Sequence, residues 1–130
     1  MNVGIPIHFK TITKTNVLQP KKPRKYYAQS VTTGEAHFKT LLQETAKACK
    51  MSQVDANRLY YNLEAIIQQE LEAGKVVRLG GIGSFQIGIS SNGYDTPKEV
   101  TSNQITKAKI NYRPGKPFKE MLKALNFKKV

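Results

Sequence analysis

The segment GKVVRLGGIGSF, residues 74–85, decides the fold because the spacing of apolar residues changes there. Before it, apolar residues recur every three or four positions from about 53 to 73, which predicts a helix that ends at Gly74. From Gly74 onward, short apolar runs at 75–79 and 84–89 predict two strands joined by a glycine turn. A helix that leads into paired strands is typical of an α+β domain.

Another helix precedes this one and is predicted to pair with it. Residues 34–49 repeat apolar side chains at helical spacing, and Thr32 and Glu35 offer a capping box at the start. Ser52 and Asp55 give a similar start signal for the longer helix. Because only about three residues separate the two helices, they are predicted to pack as a tight hairpin.

A third strand and a last helix follow the decisive segment. Residues 107–112 predict a strand, a Pro-Gly pair ends it, and residues 116–126 predict a helix with a lysine-rich outer side. Between the strands, residues 90–106 are polar and contain an Asn-Gly turn signal. They predict an extended β-ribbon arm, at about 88–108, that adds little to a core.

Residues 1–32 precede this domain and contain two strand candidates, 5–12 and 26–31, joined by a basic linker with two prolines. Pro6 has no amide hydrogen, so the first strand is predicted at the edge of its sheet. A disordered tail over most of this region is the alternative. The predicted organisation is therefore a basic extension at 1–32 and, at 33–130, a domain with a helical hairpin, a three-stranded antiparallel sheet, an arm and a C-terminal helix.

The charge distribution indicates a polyanionic partner. The chain has 21 Lys and Arg against 9 Asp and Glu, a formal net charge of +12. Residues 1–32 contribute +6 and residues 75–130 contribute +8, whereas the helical region 33–74 contributes −2. Because both flanks are basic and the middle is not, a binding face is favoured over an evenly solvated surface. Nucleic acid is the first candidate and an anionic membrane the second.

No pattern in the sequence indicates catalysis, a metal or a cofactor. The glycines at 80–83 join two strands and lack the Lys-Ser/Thr of a phosphate-binding loop. His8 and His37 are far apart, without acidic or cysteine residues at ligand spacing. The single cysteine, Cys49, excludes an intrachain disulfide and is predicted as a small buried apolar side chain. The sequence thus predicts a protein that is not an enzyme and has no small-molecule substrate.

Membrane association is also disfavoured by the sequence. No run approaches the roughly 20 apolar residues of a bilayer span, and the first residues lack the order of a signal peptide. Residues 10–25 are basic but have no amphipathic helical stripe. A soluble cytoplasmic protein is expected.

Seven basic residues are predicted to form one cationic saddle. On the last helix, three lysines at i, i+3 and i+7 share a face, and the helix N-terminus also favours phosphate. On the strand before it, two lysines alternate and share a face. The set is Arg78, Lys107, Lys109, Arg113, Lys116, Lys119 and Lys123. Because no segment supplies a base-reading helix, we expect recognition of phosphates and DNA shape with weak sequence preference.

Two motifs resemble the bacterial HU/IHF family of histone-like DNA-binding proteins. GKVVRLGGIGSF is similar to the family's strand and glycine turn, and YRPGKPFK, residues 112–119, is similar to the family's segment before the last helix. The spacing between the motifs leaves room for an arm, with Pro97 near the family's arm proline. The resemblance covers about 33–127, and the added N-terminal strands look like the extended HU-like variants of Bacteroidetes.

The resemblance implies an intertwined homodimer of the bacterial nucleoid whose arms embrace the minor groove and which bends or compacts double-stranded DNA. Arg113, Lys116 and Lys119 match the family's phosphate-binding cations, and Pro97 matches its wedge by spacing. Further candidate contacts are Lys98 in the arm and, in the extension, Lys21, Lys22, Arg24 and Lys25.

The arm departs from the family's pattern in its charge. Gly88 and Ser90 stand where arginines are expected, and residues 90–106 contain one base against two acids. Phosphates along a DNA groove repel an acidic tip, so we expect the body cations to matter more for binding than the Pro97 wedge.

The longer helix carries apolar residues on more than one face, which this short chain cannot cover alone, and this favours an intertwined dimer. Two alternatives to duplex binding remain open at this point. One is an HU-like fold that binds RNA or single strands through the same charge. The other is an HU-like fold retuned to a protein partner, which the acidic arm tip and the N-terminal strands motivate.

Overall fold

The computed structural model describes residues 5–14, 18–19 and 21–130, and within them the chain forms three α-helices and two three-stranded sheets. The helices are α1 (Phe38–Ala48), α2 (Gln53–Glu72) and α3 (Lys116–Lys123). The strands are β1 (Ile7–Lys14), β2 (Lys25–Val31), β3 (Val77–Arg78), β4 (Gly83–Ser91), β5 (Ile105–Pro114) and β6 (Phe127–Lys129). This composition confirms the predicted α+β class with extra N-terminal strands. Residues 1–4, 15–17 and 20 of the predicted extension lie outside the described residues.

The central sheet has the order β3-β4-β5, with antiparallel pairs throughout, as predicted. Its register places Phe85 opposite Tyr112, and their ring centroids are 5.0 Å apart. Ile87 and Ile110 lie further along the same face, where α2 borders a cleft against them. One face of this sheet is therefore apolar and partly covered by α2.

The two long helices form the predicted hairpin. Phe38 of α1 packs against Tyr60 of α2 with ring centroids 4.4 Å apart, and Tyr61 lies 6.1 Å from the same ring. Ala46 and Ala56 are the most buried apolar side chains in the described part of the chain, at 3% and 2% exposed. Small side chains at these positions let the two helices approach each other closely.

The predicted helix starts have different outcomes. Ser52 caps α2 as predicted, because its hydroxyl accepts a hydrogen bond of 3.1 Å from the amide of Asp55. The capping box at Thr32 and Glu35 is wrong: α1 begins only at Phe38, after an extended residue that makes no side-chain cap. Thr32 follows β2 directly, so the proposed box lies in the connection between strand and helix.

The predictions for the two residues at the helix ends have different outcomes. Gly74 ends α2 as predicted, with a left-handed φ of +80°. Cys49 is exposed rather than buried, because it lies at the C-terminal cap of α1 and not within the helix.

The N-terminal strands form a second sheet with the C-terminus, in the order β2-β1-β6. The strand β1 pairs antiparallel with β2 and parallel with β6. The predicted edge position of the first strand is therefore wrong, since Pro6 precedes the first paired residue and β6 occupies the other side of β1. The last helix, predicted at 116–126, ends earlier at Lys123, and β6 follows at Phe127–Lys129, where the sequence predicts no strand.

The arm is shorter as a ribbon than the predicted 88–108. Strands β4 and β5 are paired from Gly83, which lies opposite Pro114, to Ser91, which lies opposite Ile105. The register shifts between Ser90 and Ser91. Residues 92–104 then form a loop with two short 3₁₀ turns, 97–99 and 102–104. Polar residues without alternating apolar partners do not support a longer strand pair.

The single chain has a sparse core. Its accessible surface is 11567 Å², whereas a folded monomer of 14.6 kDa exposes roughly 6,900 Å² by the usual scaling of surface with mass. On α2, Leu59, Leu63 and Ile66 form a stripe at helical spacing and are 63%, 47% and 55% exposed. This apolar surface needs a cover that one chain does not supply.

Candidate nucleic-acid interface

The strand register gathers the basic residues of the central sheet on the face opposite α2. Arg78 pairs with Ser84, which pairs in turn with Arg113, and directly paired residues project to the same side. Lys109 and Lys107 alternate along β5 from Arg113 and therefore share that side. We call the exposed set Arg78, Lys107, Lys109 and Arg113 the basic sheet face.

A groove at one end of the basic sheet face adds the last helix to it. Arg78, Arg113 and Lys119 line this groove, whose volume is about 430 Å³. Gly83 and Gly115 form part of its wall, so backbone and cationic side chains face the same space. The structure thus brings a residue from β3, one from β5 and one from α3 together.

Backbone hydrogen bonds fix the position of α3 against the sheet. The amide of Gly115 donates to the Ile82 carbonyl at 3.1 Å, and the Tyr112 hydroxyl donates to the same carbonyl at 2.6 Å. The amide of Leu79 donates to the Gly83 carbonyl at 2.8 Å, which closes the glycine turn. The turn therefore holds the start of α3 and its lysines in a defined place.

Gly83 is predicted to be sensitive to any side chain. Its φ is +133°, and a Cβ built there would overlap the Arg113 carbonyl oxygen. We expect Gly83→Ala to lower the free energy of unfolding by about 2 kcal/mol or more, from strain and overlap together. Chemical denaturation measures this change. Gly93→Ala is the matched control, because a Cβ at Gly93 meets nothing within 4 Å, and an equal effect of both changes would contradict the prediction.

The lysines of α3 lie on one side of the helix and extend the cationic surface. Lys116, Lys119 and Lys123 are exposed and follow one another at single-turn and two-turn spacing. Within the described ranges, no carboxylate lies within 4.0 Å of any of these lysines or of the basic sheet face. The seven predicted saddle cations therefore have no internal counterion there and remain available to an external anion.

The predicted arm contacts lie apart from the saddle. Pro97 begins a 3₁₀ turn in the loop beyond the last β4–β5 pair, and Lys98 follows it. The Thr96 hydroxyl donates to the Glu99 carboxylate at 2.9 Å, so an acidic side chain is held beside the proline. A second hydrogen bond, from the Tyr94 hydroxyl to Gln104 at 2.7 Å, ties the two ends of the loop. The proline is thus part of a folded acidic loop rather than the tip of a ribbon.

The predicted extension contacts divide between a connection and a strand. Lys21, Lys22 and Arg24 are exposed in the connection between β1 and β2. Lys25 is the first residue of β2 and pairs with Lys14 of β1. Lys25 therefore belongs to the second sheet, the other three cations lie in the connection beside it, and none of the four belongs to the basic sheet face.

Comparison with known families agrees with this geometry. The family model HU-HIG, described as an HU domain fused to wHTH, Ig, or Glycine-rich motif, matches residues 5–129. The chain belongs to the HU-HIG family. The match includes the N-terminal sheet as well as the helical hairpin and the central sheet, and it confirms the HU-like resemblance carried by the two sequence motifs.

Two solved structures share the HU-HIG chain's fold. A point mutant of HU from Thermotoga maritima is 20% identical with a TM-score of 0.51, and the match covers 67% of this chain and 99% of that one. A putative bacterial DNA binding protein from Bacteroides vulgatus is 14% identical with a TM-score of 0.65, and the match covers 95% of this chain. The chain corresponds to only 49% of that second protein's length. No curated protein matches it.

Three polar residues lie between the cations of this HU-HIG chain and were not predicted from the sequence as part of the site. Ser84, Gln86 and Asn111 lie on the basic sheet face, because they pair with or alternate from its cations. The alternation along β4 could have predicted Ser84 and Gln86, because Phe85, Ile87 and Ile89 lie on the opposite face of the strand. These side chains can donate or accept hydrogen bonds at phosphate or sugar groups.

Neither a metal cluster nor a membrane span occurs in the part of the chain that the structure describes. Within residues 5–14, 18–19 and 21–130, no group of three or more His, Cys, Asp or Glu side chains could hold a metal ion. Over the same residues, no helix has the length and apolar character needed to cross a bilayer.

Proposed function

We propose that this chain is an architectural protein that binds double-stranded DNA with little sequence preference and bends or compacts it as a homodimer in the bacterial nucleoid. The observation that carries the proposal is the basic sheet face, together with the α3 lysines fixed beside it. Seven exposed cations, with no carboxylate within 4.0 Å among the described residues, suit a ligand that carries regularly spaced negative charges. The HU domain of the family and the DNA-binding description of the Bacteroides structure support the same proposal.

The spacing of the cations supports a duplex as the ligand. Lys107 and Arg113 lie six residues apart on one strand, which corresponds to about 20 Å along β5. Phosphates recur about every 3.4 Å along the axis of one DNA strand, so this strand spans about six base pairs. A strand of alternating cations can therefore contact several phosphates without a special sequence.

The site contains little that could read bases. The one helix at the saddle, α3, has eight residues, three of which are lysines, and lysines contact phosphates as point charges. The polar residues Gln86 and Asn111 stand on a sheet face rather than on a helix that enters the major groove. Recognition through phosphates and DNA shape is therefore favoured over direct base readout.

The exposed apolar surface of the single chain supports the homodimer. The stripe on α2 and the uncovered part of the sheet's apolar face would become a core if a second copy packed against them. Two copies would also place two saddles on one molecule, which lengthens the contact with DNA and allows it to bend.

The assignment of residues 1–32 to an extension and of 33–130 to the DNA-binding domain stays a prediction.

Salt dependence tests the proposed mode of binding. If at least four phosphates are neutralised, we expect the logarithm of the association constant to fall against the logarithm of salt concentration with a slope of about −3.6 or steeper. A fluorescent duplex titrated by anisotropy between 50 and 200 mM salt measures the slope. An affinity that stays constant over this range would contradict the proposal.

Competition with unlabelled nucleic acids identifies the ligand class in the same assay. The proposal expects duplex DNA of unrelated sequences to compete equally, and RNA or single strands to compete less well. Preference for RNA would favour the alternative in which the fold binds RNA through the same charge.

A further inference from the structure

The second sheet, β2-β1-β6, carries four of its five lysines on one face, which also includes Ile12, Tyr27 and Val31. Paired residues share a side, so the register places Ile7 and Phe127 together on the opposite face, and an apolar groove there also includes Phe9. The lysine-bearing face contains Lys10, the Lys14–Lys25 pair, and Lys128, which pairs with His8. We call Lys10, Lys14, Lys25 and Lys128 the cationic face of the second sheet.

The charges on this face have no internal counterion. The strands β1, β2 and β6 contain no Asp or Glu. Within the described chain, no carboxylate lies within 4.0 Å of these four lysines. The Nζ of Lys14 lies 5.1 Å from the ring centroid of Tyr27, and this ring stabilises one ammonium group without neutralising it. Four like charges on one small sheet repel one another until an anion binds.

The second sheet is attached directly to the DNA-binding helix of the body. Phe127, the start of β6, follows Lys123, the end of α3, by four positions, which limits the separation of their Cα atoms to about 14 Å. The amide of Ile7 donates to the Asn126 carbonyl at 2.7 Å, and the amide of Val130 donates to Phe9 at 2.9 Å. These bonds hold the sheet to the segment after α3, and the start of β6 lies within the length of about four base pairs from the end of α3.

We propose that the cationic face of the second sheet is a second phosphate-binding surface, which contacts the backbone of the same duplex that the saddle binds. This inference rests on the proposed DNA binding by the saddle and extends the contact to a sheet that lies mostly outside residues 33–130. Its ligand is the sugar-phosphate backbone, because the face offers four exposed ammonium groups, which contact phosphates as point charges.

The test uses the full chain with Lys10→Gln, Lys14→Gln and Lys128→Gln combined. Loss of three phosphate contacts makes the salt slope shallower by about 2.7. When salt rises from 50 to 200 mM, the factor by which affinity falls is therefore about 40 times larger for the wild-type chain than for the triple variant. Anisotropy of a fluorescent duplex measures both quantities, and circular dichroism checks that the sheet is retained.

The matched control removes the same charge from other places. Lys39→Gln, Lys47→Gln and Lys129→Gln also remove three charges, but they lie on α1 and on the apolar side of β6. We expect this control to change the slope by less than about 1, since fewer phosphate contacts are lost. Equal slopes for the two triple variants would overturn the second surface. A variant with Arg at the three tested positions should keep the wild-type slope, because it retains the charge, and a shallow slope for it would also overturn the proposal.

Two further outcomes separate this inference from the proposed function. If the wild-type chain does not bind the duplex at all, the proposed function is wrong, and the second surface, which depends on it, is wrong as well. If it binds, and only Lys116→Gln with Lys119→Gln makes the slope shallower, the saddle stands and the second surface is wrong. Vesicles containing phosphatidylserine serve as an additional probe, and a triple variant that loses vesicle binding but keeps its DNA slope would assign the face to a membrane and contradict the proposal.

Discussion

Reversing two charges on α3, with Lys116→Glu and Lys119→Glu, is expected to weaken binding to duplex DNA by about 100-fold or more at low salt. Both side chains are exposed, and neither has a carboxylate within 4.0 Å in the described part of the chain. Loss of two charge-assisted contacts at about 1.5 kcal/mol each removes about 3 kcal/mol of binding free energy. The new carboxylates would also repel the phosphates, and a dimer would carry the two changes twice. Both increase the loss of binding free energy.

The same titration with Pro97→Ala is expected to change the affinity less than threefold. The proline lies in a folded loop beside Glu99, and this loop has more acidic than basic residues. Lys39→Glu with Lys47→Glu is the charge-matched control on α1 and is expected to weaken binding by less than tenfold. If Pro97→Ala proved more damaging than the α3 double reversal, binding would depend on a wedge in the arm, and the assignment of the site to the saddle would be wrong.

A single charge in the exposed stripe of α2 is expected to abolish the dimer. Leu63 is 47% exposed in one chain, between Leu59 and Ile66. If a second copy covers the stripe, Leu63→Glu would bury an unpaired carboxylate in each subunit, which costs about 4 kcal/mol or more. The dimer dissociation constant should rise about 1,000-fold. Sedimentation equilibrium measures this constant.

Loss of the dimer should also affect the fold, because few apolar side chains are buried within one chain. We expect the cooperative thermal transition of Leu63→Glu to broaden or disappear. Val100→Glu is the control, since Val100 is 50% exposed in the arm loop rather than on the helix. A wild-type chain that sediments as a monomer, or a Leu63→Glu variant that remains as dimeric as the wild type, would contradict this prediction.

The elements with strong local patterns could be predicted from the sequence. The helical hairpin follows from apolar spacing and from the Ser52 cap, and the central sheet follows from alternation around a glycine turn. The cations of the saddle could be proposed because they lie close together in sequence. Arg78 lies far from them in sequence, and the structure places it on the same face as Arg113 because Ser84 pairs with both residues.

The parts that were missed depend on contacts between distant residues. Strand β6 has three residues, and only its pairing with β1, about 120 positions earlier, makes it a strand. The same pairing makes β1 a central strand, which a proline near its start had argued against. The cationic face of the second sheet could therefore not be predicted from the sequence, since its lysines come from three strands and share a side only because of the strand register.

The length of the arm illustrates a different limit. Resemblance to HU and IHF proteins predicts a long ribbon, but strand pairing depends on the residues that are actually present. Beyond Ser91 and Ile105, the side chains are mostly polar and bond to one another within the loop. The loop therefore folds locally, and its acidic charge argues against a leading part in DNA binding.

The most direct measurement of the central claim is sedimentation velocity of the purified chain with a fluorescent duplex at low ionic strength. This experiment reports the number of copies in the complex and the binding of DNA together. We expect that the free chain sediments at twice its 14.6 kDa mass and that the duplex moves with two copies at low salt and is released as salt rises. A chain that sediments as a monomer and leaves the duplex at its free sedimentation rate would contradict a dimer that binds DNA.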